Sequence, residues 1–350
     1  MNRKYIVFLA VCILLFFSAC SKSENAGNEK MSSTEFFAMD TYVSFTAYGS
    51  QAEEANHIAQ ERIQELETMW SVTDKESEIY QVNHSGGKPV SIGSETVEIL
   101  SFALQMAEKT KGALEPTIYP VLTAWGFTTD ENRIPSRTEL KQLLQNVGYK
   151  KVIFRGNKVQ LPEGMQLDFG AVGKGYAGDE AVKVLKEKGI TSALLDIGGN
   201  IQVIGSKPDG TDWRLGLRNP FDEGNLGVLQ IHDLAVVTSG SYERYFIGDD
   251  GKRYGHIMNP VTGYPAENGL ASVTVIAKEG KLCDALSTSL YVMGLDGAVE
   301  YWRQHLGFEL IMITEDGEIY LTEGIQEKFT LDDSYSSMKV NVLSSKETEN

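Results

Sequence analysis

Cysteine is nearly absent, with three in 350 residues, at positions 12, 20 and 283. Two of them fall within the first twenty residues, so a body without that segment holds a single thiol. That excludes an internal disulfide framework and leaves the fold to rest on its core. No second His or Cys stands at zinc-ligand spacing from His256, which argues against a zinc site. Positive charge is also short: 32 Lys and Arg against 48 Asp and Glu give a net charge of −16. General nucleic-acid binding needs a basic face to displace phosphate counterions and is excluded. A small phosphorylated ligand is not, because one lysine or one cation can serve it locally. Proline is low, 9 residues against 34 glycines, which points to tight turns rather than a Pro-rich linker. The longest apolar run, Tyr5 to Phe17, has about 13 residues and is too short to span a bilayer as a mature helix. At 42% hydrophobic and 23% charged residues the chain is globular, long enough for one large or two ordinary domains.

What is present begins with an export pattern. Asn2-Arg3-Lys4 precedes the apolar run, and Ser18-Ala19 leads into Cys20 and the polar Ser21-Lys22-Ser23-Glu24. Residues 1–19 resemble a bacterial lipoprotein signal, in which Cys20 is lipidated and becomes the new N-terminus. Phe17 stands where Leu is usual, and an ordinary secretory signal is the alternative. Both readings give an exported protein. The first anchors it by lipid to the outer face of the bacterial cytoplasmic membrane, or to the periplasmic side. Loss of Arg3 and Lys4 takes the charge from −16 to −18, so an anionic lipid surface repels the body and the lipid is its anchor. Residues 20–33, small and polar, read as a flexible tether.

Beyond the tether the periodicity is mixed. Tyr42 to Tyr48 alternates as a strand, and Gln51 to Trp70 sets Ala55, Ile58, Ala59, Ile63, Leu66 and Trp70 at helical spacing. Helices are predicted over 96–111, 136–145, 173–188 and 282–293, and strands over 151–154, 159–161 and 192–197. Strands and turns follow from Trp213 to Val275, then a hairpin from Phe308 to Leu321. No repeat or linker interrupts residues 34–330, which read as a single compact α+β body with mixed sheets and packed helices, with room for two lobes. Residues 331–350, rich in Ser, Lys and Glu, read as a polar tail that frays.

Four segments carry more chemistry than packing requires. Asp168-Phe-Gly-Ala-Val-Gly-Lys-Gly-Tyr-Ala-Gly-Asp179 places glycines at the start of a helix, where free N–H groups and Lys174 can face an anion. It is neither a Walker A loop nor the G-x-G-x-x-G dinucleotide fingerprint, and a Gly-rich turn with an exposed lysine fits the same residues. Asp196-Ile-Gly-Gly-Asn200 allows a sharp turn or close approach of a ligand. Thr238 to Tyr245 and Gly251 to Pro265 are dense in polar groups around His256, which is either structural or placed to meet a substrate. Asp284 and Thr288 stand four apart on a predicted helix and share a face. Their oxygens suit Mg²⁺, while Asp284 as a plain N-terminal helix carboxylate is the bland alternative.

Taken together these segments resemble the ApbE family of FAD:protein FMN transferases. The resemblance runs from about Phe37 to Thr322. It includes Met39-Asp40-Thr41, Trp70-Ser71-Val72-Thr73, Ser77, Asn83, Gly112 to Thr117, Trp125-Gly126-Phe127, the Asp168 to Tyr176 loop and Gly198-Gly199. Thr238-Ser239-Gly240, His256 to Pro260, Thr262-Gly263 and Asp284 to Thr288 complete it. It implies Mg²⁺-dependent transfer of FMN from FAD to a Thr or Ser hydroxyl through a phosphoester, with AMP released. The implied metal ligands are the Ala171 carbonyl, Asp284 and Thr288. The implied flavin-nucleotide site is Met39, Val72, Thr73, Ala113, Leu114, Glu115, Asp168, Lys174 and Met258. His256 matches the family histidine beside the reacting phosphates and is favoured over Asp284 as the base, because a metal ligand is a poor free base.

The sequence departs from the family pattern in three places. Thr73 stands where many relatives carry an aromatic, so Trp70 or another ring has to stack on the flavin. Glu115 and Asn259 replace the usual Asp. The implied partners are exported or membrane flavoproteins with an acceptor motif ending in Ser/Thr-x-Thr. A Mg²⁺-dependent FAD pyrophosphatase giving FMN and AMP, and a non-catalytic flavin-binding lipoprotein, are the alternatives. Asp284, read as a surface carboxylate, is expected to matter for turnover and little for stability.

Overall fold

Strand formation starts earlier and ends later along the chain than composition indicates. The computed structural model describes residues 30–129 and 131–346, so the signal segment 1–19 and Cys20 lie outside the described residues. Strands β1 (Met31–Ala38) and β2 (Thr41–Tyr48) form a hairpin in which Ala38 faces Thr41. Met39 and Asp40 make its turn with φ of 53° and 57°, the left-handed pair that a two-residue hairpin matching strand twist demands. Residues 31–33, assigned above to the tether, are therefore strand. Ser32 and Ser33 pair with Ala47 and Thr46, and Asn56 donates to the Ser32 carbonyl at 3.2 Å.

Helix α1 (Ala52–Trp70) buries Ala55, Ala59, Ile63, Leu66 and Trp70 along one stripe, the spacing that sequence periodicity predicts. Helix α2 (Glu78–Asn83) is opened by Ser77, whose hydroxyl accepts from the Tyr80 N–H at 2.9 Å. Strands β3 (Val90–Ser91), β4 (Ile153–Arg155) and β5 (Lys158–Gln160) form a small sheet in the order β3-β5-β4. Between them lie α3 (Ser94–Lys109), α4 (Tyr119–Trp125) and α5 (Arg137–Leu143). Helix α6 (Gly173–Glu187) leads into β6 (Ser192–Ile197) and β7 (Asn200–Ile204).

Strands β8 (Trp213–Arg218) and β9 (Asn225–Ile231) precede β10 (Ala235–Gly240), the short hairpin β11 (Tyr245–Ile247) and β12 (Arg253–Gly255), and β13 (Leu270–Ala277). Helix α7 (Gly280–Gln304) is divided by non-helical backbone at Gly294, with φ 76° and ψ 176°. The sequence reading, 282–293, stops at that break. Strands β14 (Glu309–Thr314), β15 (Ile319–Thr322), β16 (Phe329–Leu331) and β17 (Val340–Leu343) close the chain.

Nine strands form the main sheet in the order β1-β2-β6-β7-β10-β13-β14-β15-β17, antiparallel except for β15 and β17. The end of the chain is thus not a frayed tail up to residue 346. Val340 to Leu343 pair with Ile319 to Thr322, and Asn341 donates to Glu318 at 3.1 Å. Along the strand Asn341 and Leu343 are half-buried on one side while Val340 and Val342 stay exposed on the other.

One core lies between the sheet and α1, α3, α6 and α7. A second, containing Trp213, Leu226, Ile231 and Ile313, fills the opposite face. A third gathers Val121, Trp125, Phe127, Leu140, Tyr254 and Met258 around α4, α5 and the β11–β12 hairpin. The candidate site sits where this third cluster meets the N-terminal ends of α6 and α7.

Candidate active site

Two helix starts and one histidine strand build the site. The Val172 residue ahead of α6 gives it no side-chain cap. Instead Asp284 of α7 accepts the Gly175 N–H at 2.8 Å. A Cβ on Gly175 would lie 2.3 Å from the Gly280 carbonyl oxygen, and one on Gly178 would lie 2.2 Å from the Gln202 amide. These two glycines, one turn apart on α6, let the helix lie directly on its neighbours. The anion-cradle reading of the glycine loop is corrected accordingly. Gly173, Gly175 and Gly178 are buried within the helix, and the Gly175 N–H is already taken by a carboxylate.

Asp284 is only 4% exposed, which overturns its reading as a surface carboxylate. Burial raises its pKa, opposed by the Lys174 charge and by the backbone N–H groups of Gly175 and Lys174. One turn further along α7, the Thr288 hydroxyl lies 3.4 Å from Ser239 of β10, and Ser239 donates to Ser287 at 2.9 Å. The Ala171 carbonyl receives no hydrogen bond from any described group. Among the described residues no group of three or more His, Cys, Asp and Glu is placed to hold a metal. A carboxylate, a hydroxyl and an unengaged carbonyl are nevertheless the all-oxygen donors that a hard divalent cation takes, with water and substrate oxygens completing its shell.

His256 lies just past β12. Its Nδ1 is 3.1 Å from the Arg244 carbonyl, an acceptor only, so Nδ1 carries the proton and Nε2 keeps its lone pair. Burial, reinforced by the charges of Lys174 and Arg244, pushes the imidazole pKa down to about 4. The ring is therefore neutral at pH 7. Asp168 is held above the usual carboxylate range by burial, against the Gly170 N–H, Lys174 and Arg244. The Lys174 ammonium thus acts on Asp168, His256 and Asp284 at once, and the fold brings these four residues together.

Arg244 is the residue that sequence reasoning missed. Its guanidinium reaches Asp40 at 3.2 Å and the Phe127 carbonyl, while its own carbonyl receives both His256 N–H groups. It ties the Met39-Asp40 turn and the end of α4 to the histidine strand. Its only sequence signal was the polar density of Thr238 to Tyr245. The Met39 N–H is fixed by Glu67 at 2.7 Å, and Met258 is buried in the third cluster.

Other implied contacts resolve differently. Trp70 cannot be the stacking ring, because it is 7% exposed, bonded to Thr96 at 3.1 Å and edge-on to Tyr176. It belongs to the buried stripe of α1. Val72 packs on the main core, and Thr73 is exposed, its N–H held by Ser71 at 3.2 Å. Of the Ala113-Leu114-Glu115 segment, Leu114 points into the main core. Glu115 is buried and accepts from Thr117 and from the Tyr149 N–H at 2.9 Å, so its carboxylate orders the 148–149 loop. Asn83 clamps Leu167 in both directions, at 2.9 and 2.7 Å, and the Asp168 N–H donates to Pro116 at 2.9 Å. These bonds carry the 113–117 segment to the Asp168 loop.

A sequence model of the ApbE family matches residues 39–312. The chain belongs to the ApbE family. Its relatives include the FAD:protein FMN transferase of Treponema pallidum, 33% identical over 285 residues, which cover 76% of this chain and 78% of that protein. The FAD:protein FMN transferase of Escherichia coli is 32% identical, over 72% of this chain and 74% of its own. The crystal structure of the ApbE protein of Thermotoga maritima is similar with a TM-score of 0.80 at 32% identity, over 85% of this chain and 99% of that one. The flavin transferase ApbE of Vibrio cholerae gives 0.78 at 25% identity, over 86% and 100%. The ApbE match ends within β14, so the strands from β15 to β17 lie beyond the matched segment.

Proposed function

We propose that this ApbE-family chain transfers FMN from FAD to a Thr or Ser hydroxyl of an acceptor protein, through a phosphoester, with release of AMP. The observation that carries this reading is the grouping of a neutral His256, with Nε2 unprotonated, and Lys174 around the buried Asp284. His256 takes the hydroxyl proton at Nε2 as the acceptor oxygen bonds to the flavin-side phosphorus. The bond from that phosphorus to the bridging oxygen breaks, and AMP leaves with that oxygen. Lys174 holds charge on the pyrophosphate in place, and Arg244 keeps the imidazole turned by its carbonyl. Mg²⁺, held by the Ala171 carbonyl, Asp284 and Thr288, supplies neutralisation of the phosphate charge when bound. Met39 and the backbone of residues 113–115 offer the surface for the flavin nucleotide, with Met258 buried in the third cluster.

The test incubates the chain from Lys22 onward with FAD, Mg²⁺ and an exported flavoprotein domain carrying a Ser/Thr-x-Thr segment. A denaturing gel read by flavin fluorescence is expected to show a labelled acceptor. AMP without label points to a pyrophosphatase, and unaltered FAD to a binding protein.

We also propose that Cys20 carries the lipid and holds the enzyme on the outer face of the membrane, on the support of Ser18-Ala19-Cys20 behind the apolar run. Cys20→Ser is expected to move the protein from the membrane pellet to the soluble fraction. Retention in the pellet would remove this assignment.

A further inference from the structure

The carboxylate of Asp179 has no part in the chemistry above, yet it sits partly buried at the crossing of the two helices that carry the site. Glu279, the residue ahead of α7, provides no side-chain cap. Asp179 of α6 does so from across the contact, accepting the Gly280 N–H at 2.6 Å and the Lys281 N–H at 3.0 Å. In return Asp284 of α7 accepts the Gly175 N–H of α6 at 2.8 Å. Each helix start is therefore satisfied by a carboxylate from the other helix, where its unpaired donors and dipole favour negative charge.

The crossing leaves no slack. A Cβ on Gly280 would lie 1.8 Å from the Gln202 amide nitrogen, which itself donates to the Gly175 carbonyl at 3.2 Å. The axial position of α7 relative to α6 is thus set at Gly280. Asp284 and Thr288 follow about one and two turns on.

We propose that Asp179 is a positioning residue, which sets Asp284 and Thr288 at the distance from the Ala171 carbonyl that a cation requires. The inference rests on the metal assignment made under the proposed function. A local Ser or Thr would cap α7 without burying a charge. Burial instead pushes the Asp179 carboxyl up to about 6, so the fold retains an unfavourable group at this crossing. Among the described residues the hydrogen bonds of the Asp179 side chain go to backbone N–H groups of α7. The charges that act on it, Lys281 and Glu279, stand at the start of the same helix, so its effect reaches the reaction through α7.

The test compares Asp179→Asn, which keeps one acceptor and turns an N–H toward Lys281, with wild type, Asp284→Ala and Glu180→Gln. Glu180 is the next residue on α6 and pairs with Arg62 at 2.9 Å, so its variant reports loss of stability without loss of the cap. Two readouts are taken: the Mg²⁺ concentration for half-maximal AMP release, and Mn²⁺ binding in the presence of FAD, counted by the EPR signal of the free ion. Asp179→Asn is expected to weaken both by about 10-fold or more, the usual effect of removing a group that orients a metal ligand. The rate at saturating Mg²⁺ is expected to be largely kept, and Glu180→Gln to titrate like wild type. If Asp179→Asn does not melt cooperatively, Lys281→Pro is read in its place. It removes one capped N–H in a first turn that accepts proline and is expected to shift both titrations the same way. A lower melting temperature with wild-type titrations would reduce Asp179 to a structural cap and overturn the inference. Wild-type Mn²⁺ binding by Asp284→Ala would overturn the metal assignment and this inference with it.

Discussion

Asp284→Ala is expected to lower Mg²⁺-dependent AMP release by at least about 10²-fold while the chain still folds. On the proposed metal assignment, a divalent cation that neutralises phosphate charge would contribute several kcal/mol to the transition state, and each ~1.4 kcal/mol is a factor of ten. The effect on stability is smaller because two terms oppose. Burial raises the Asp284 pKa above its unfolded value, so the ionised group costs stability at neutral pH, a cost relieved as pH falls through the folded pKa. Removing it lifts that cost but leaves the Gly175 N–H without its partner at 2.8 Å, a loss of about 1–3 kcal/mol. The net change is expected to be small, read as a melting temperature close to wild type at pH 7. Full activity in this variant would make the metal assignment wrong.

His256→Gln is expected to lower turnover by about 10²- to 10⁴-fold, the range for losing a positioned general base, with FAD binding retained. The pH dependence carries more information. With its pKa pushed down to about 4, His256 stays unprotonated through the neutral range. For wild type, kcat/KM is therefore expected to be level from about pH 8 down to about pH 6 where this group is concerned, without the inflection near 6.5 of a free histidine. Activity through this group is present above its folded pKa and is lost as pH falls through it. Burial also raises the Asp284 carboxyl, so the Gln variant is expected to keep the pH dependence which that carboxylate contributes and to lose the histidine's. An inflection near pH 6.5 in wild type that vanishes in His256→Gln would show the imidazole to be solvated and the site geometry to be wrong.

Periodicity and local chemistry made part of this site legible. Asp284 and Thr288 stand four apart on a helix whose apolar stripe is plain in the sequence, and α7 bears that spacing out. The start of α6 at Gly173, the strand Ser192–Ile197 and the hairpin around Gly317 follow the same local rules. Helix α4 was not legible, because Tyr119 to Trp125 is buried nearly all round and has no polar face to set a period. Strand β17 was hidden by its polar neighbours, and α7 beyond Gly294 by the break there.

The roles of the glycines were misread for a different reason. Gly175 and Gly178 look like a phosphate loop locally, and only the arrival of α7 and Gln202, from distant parts of the chain, reveals them as contact points. The same holds for the paired caps. Asp179 and Gly280 are 101 residues apart, and Gly175 and Asp284 are 109 apart, distances over which spacing carries no information. Arg244 was overlooked because its part is played by a backbone carbonyl, which no side-chain motif records. Trp70 shows the converse: an aromatic in the right place along the chain is a core residue once its i−4 neighbour Leu66 faces inward.

The central claim is that the phosphorus is delivered to a protein hydroxyl rather than to water. The most direct measurement counts AMP released against flavin covalently bound to the acceptor in one reaction with Mg²⁺, by chromatography and intact-protein mass spectrometry. The account predicts one AMP per flavinylated acceptor, with the label lost when the acceptor's terminal Thr is replaced by Ala. AMP accompanied by an equal amount of free FMN, with a verified cognate acceptor unmodified, would contradict it.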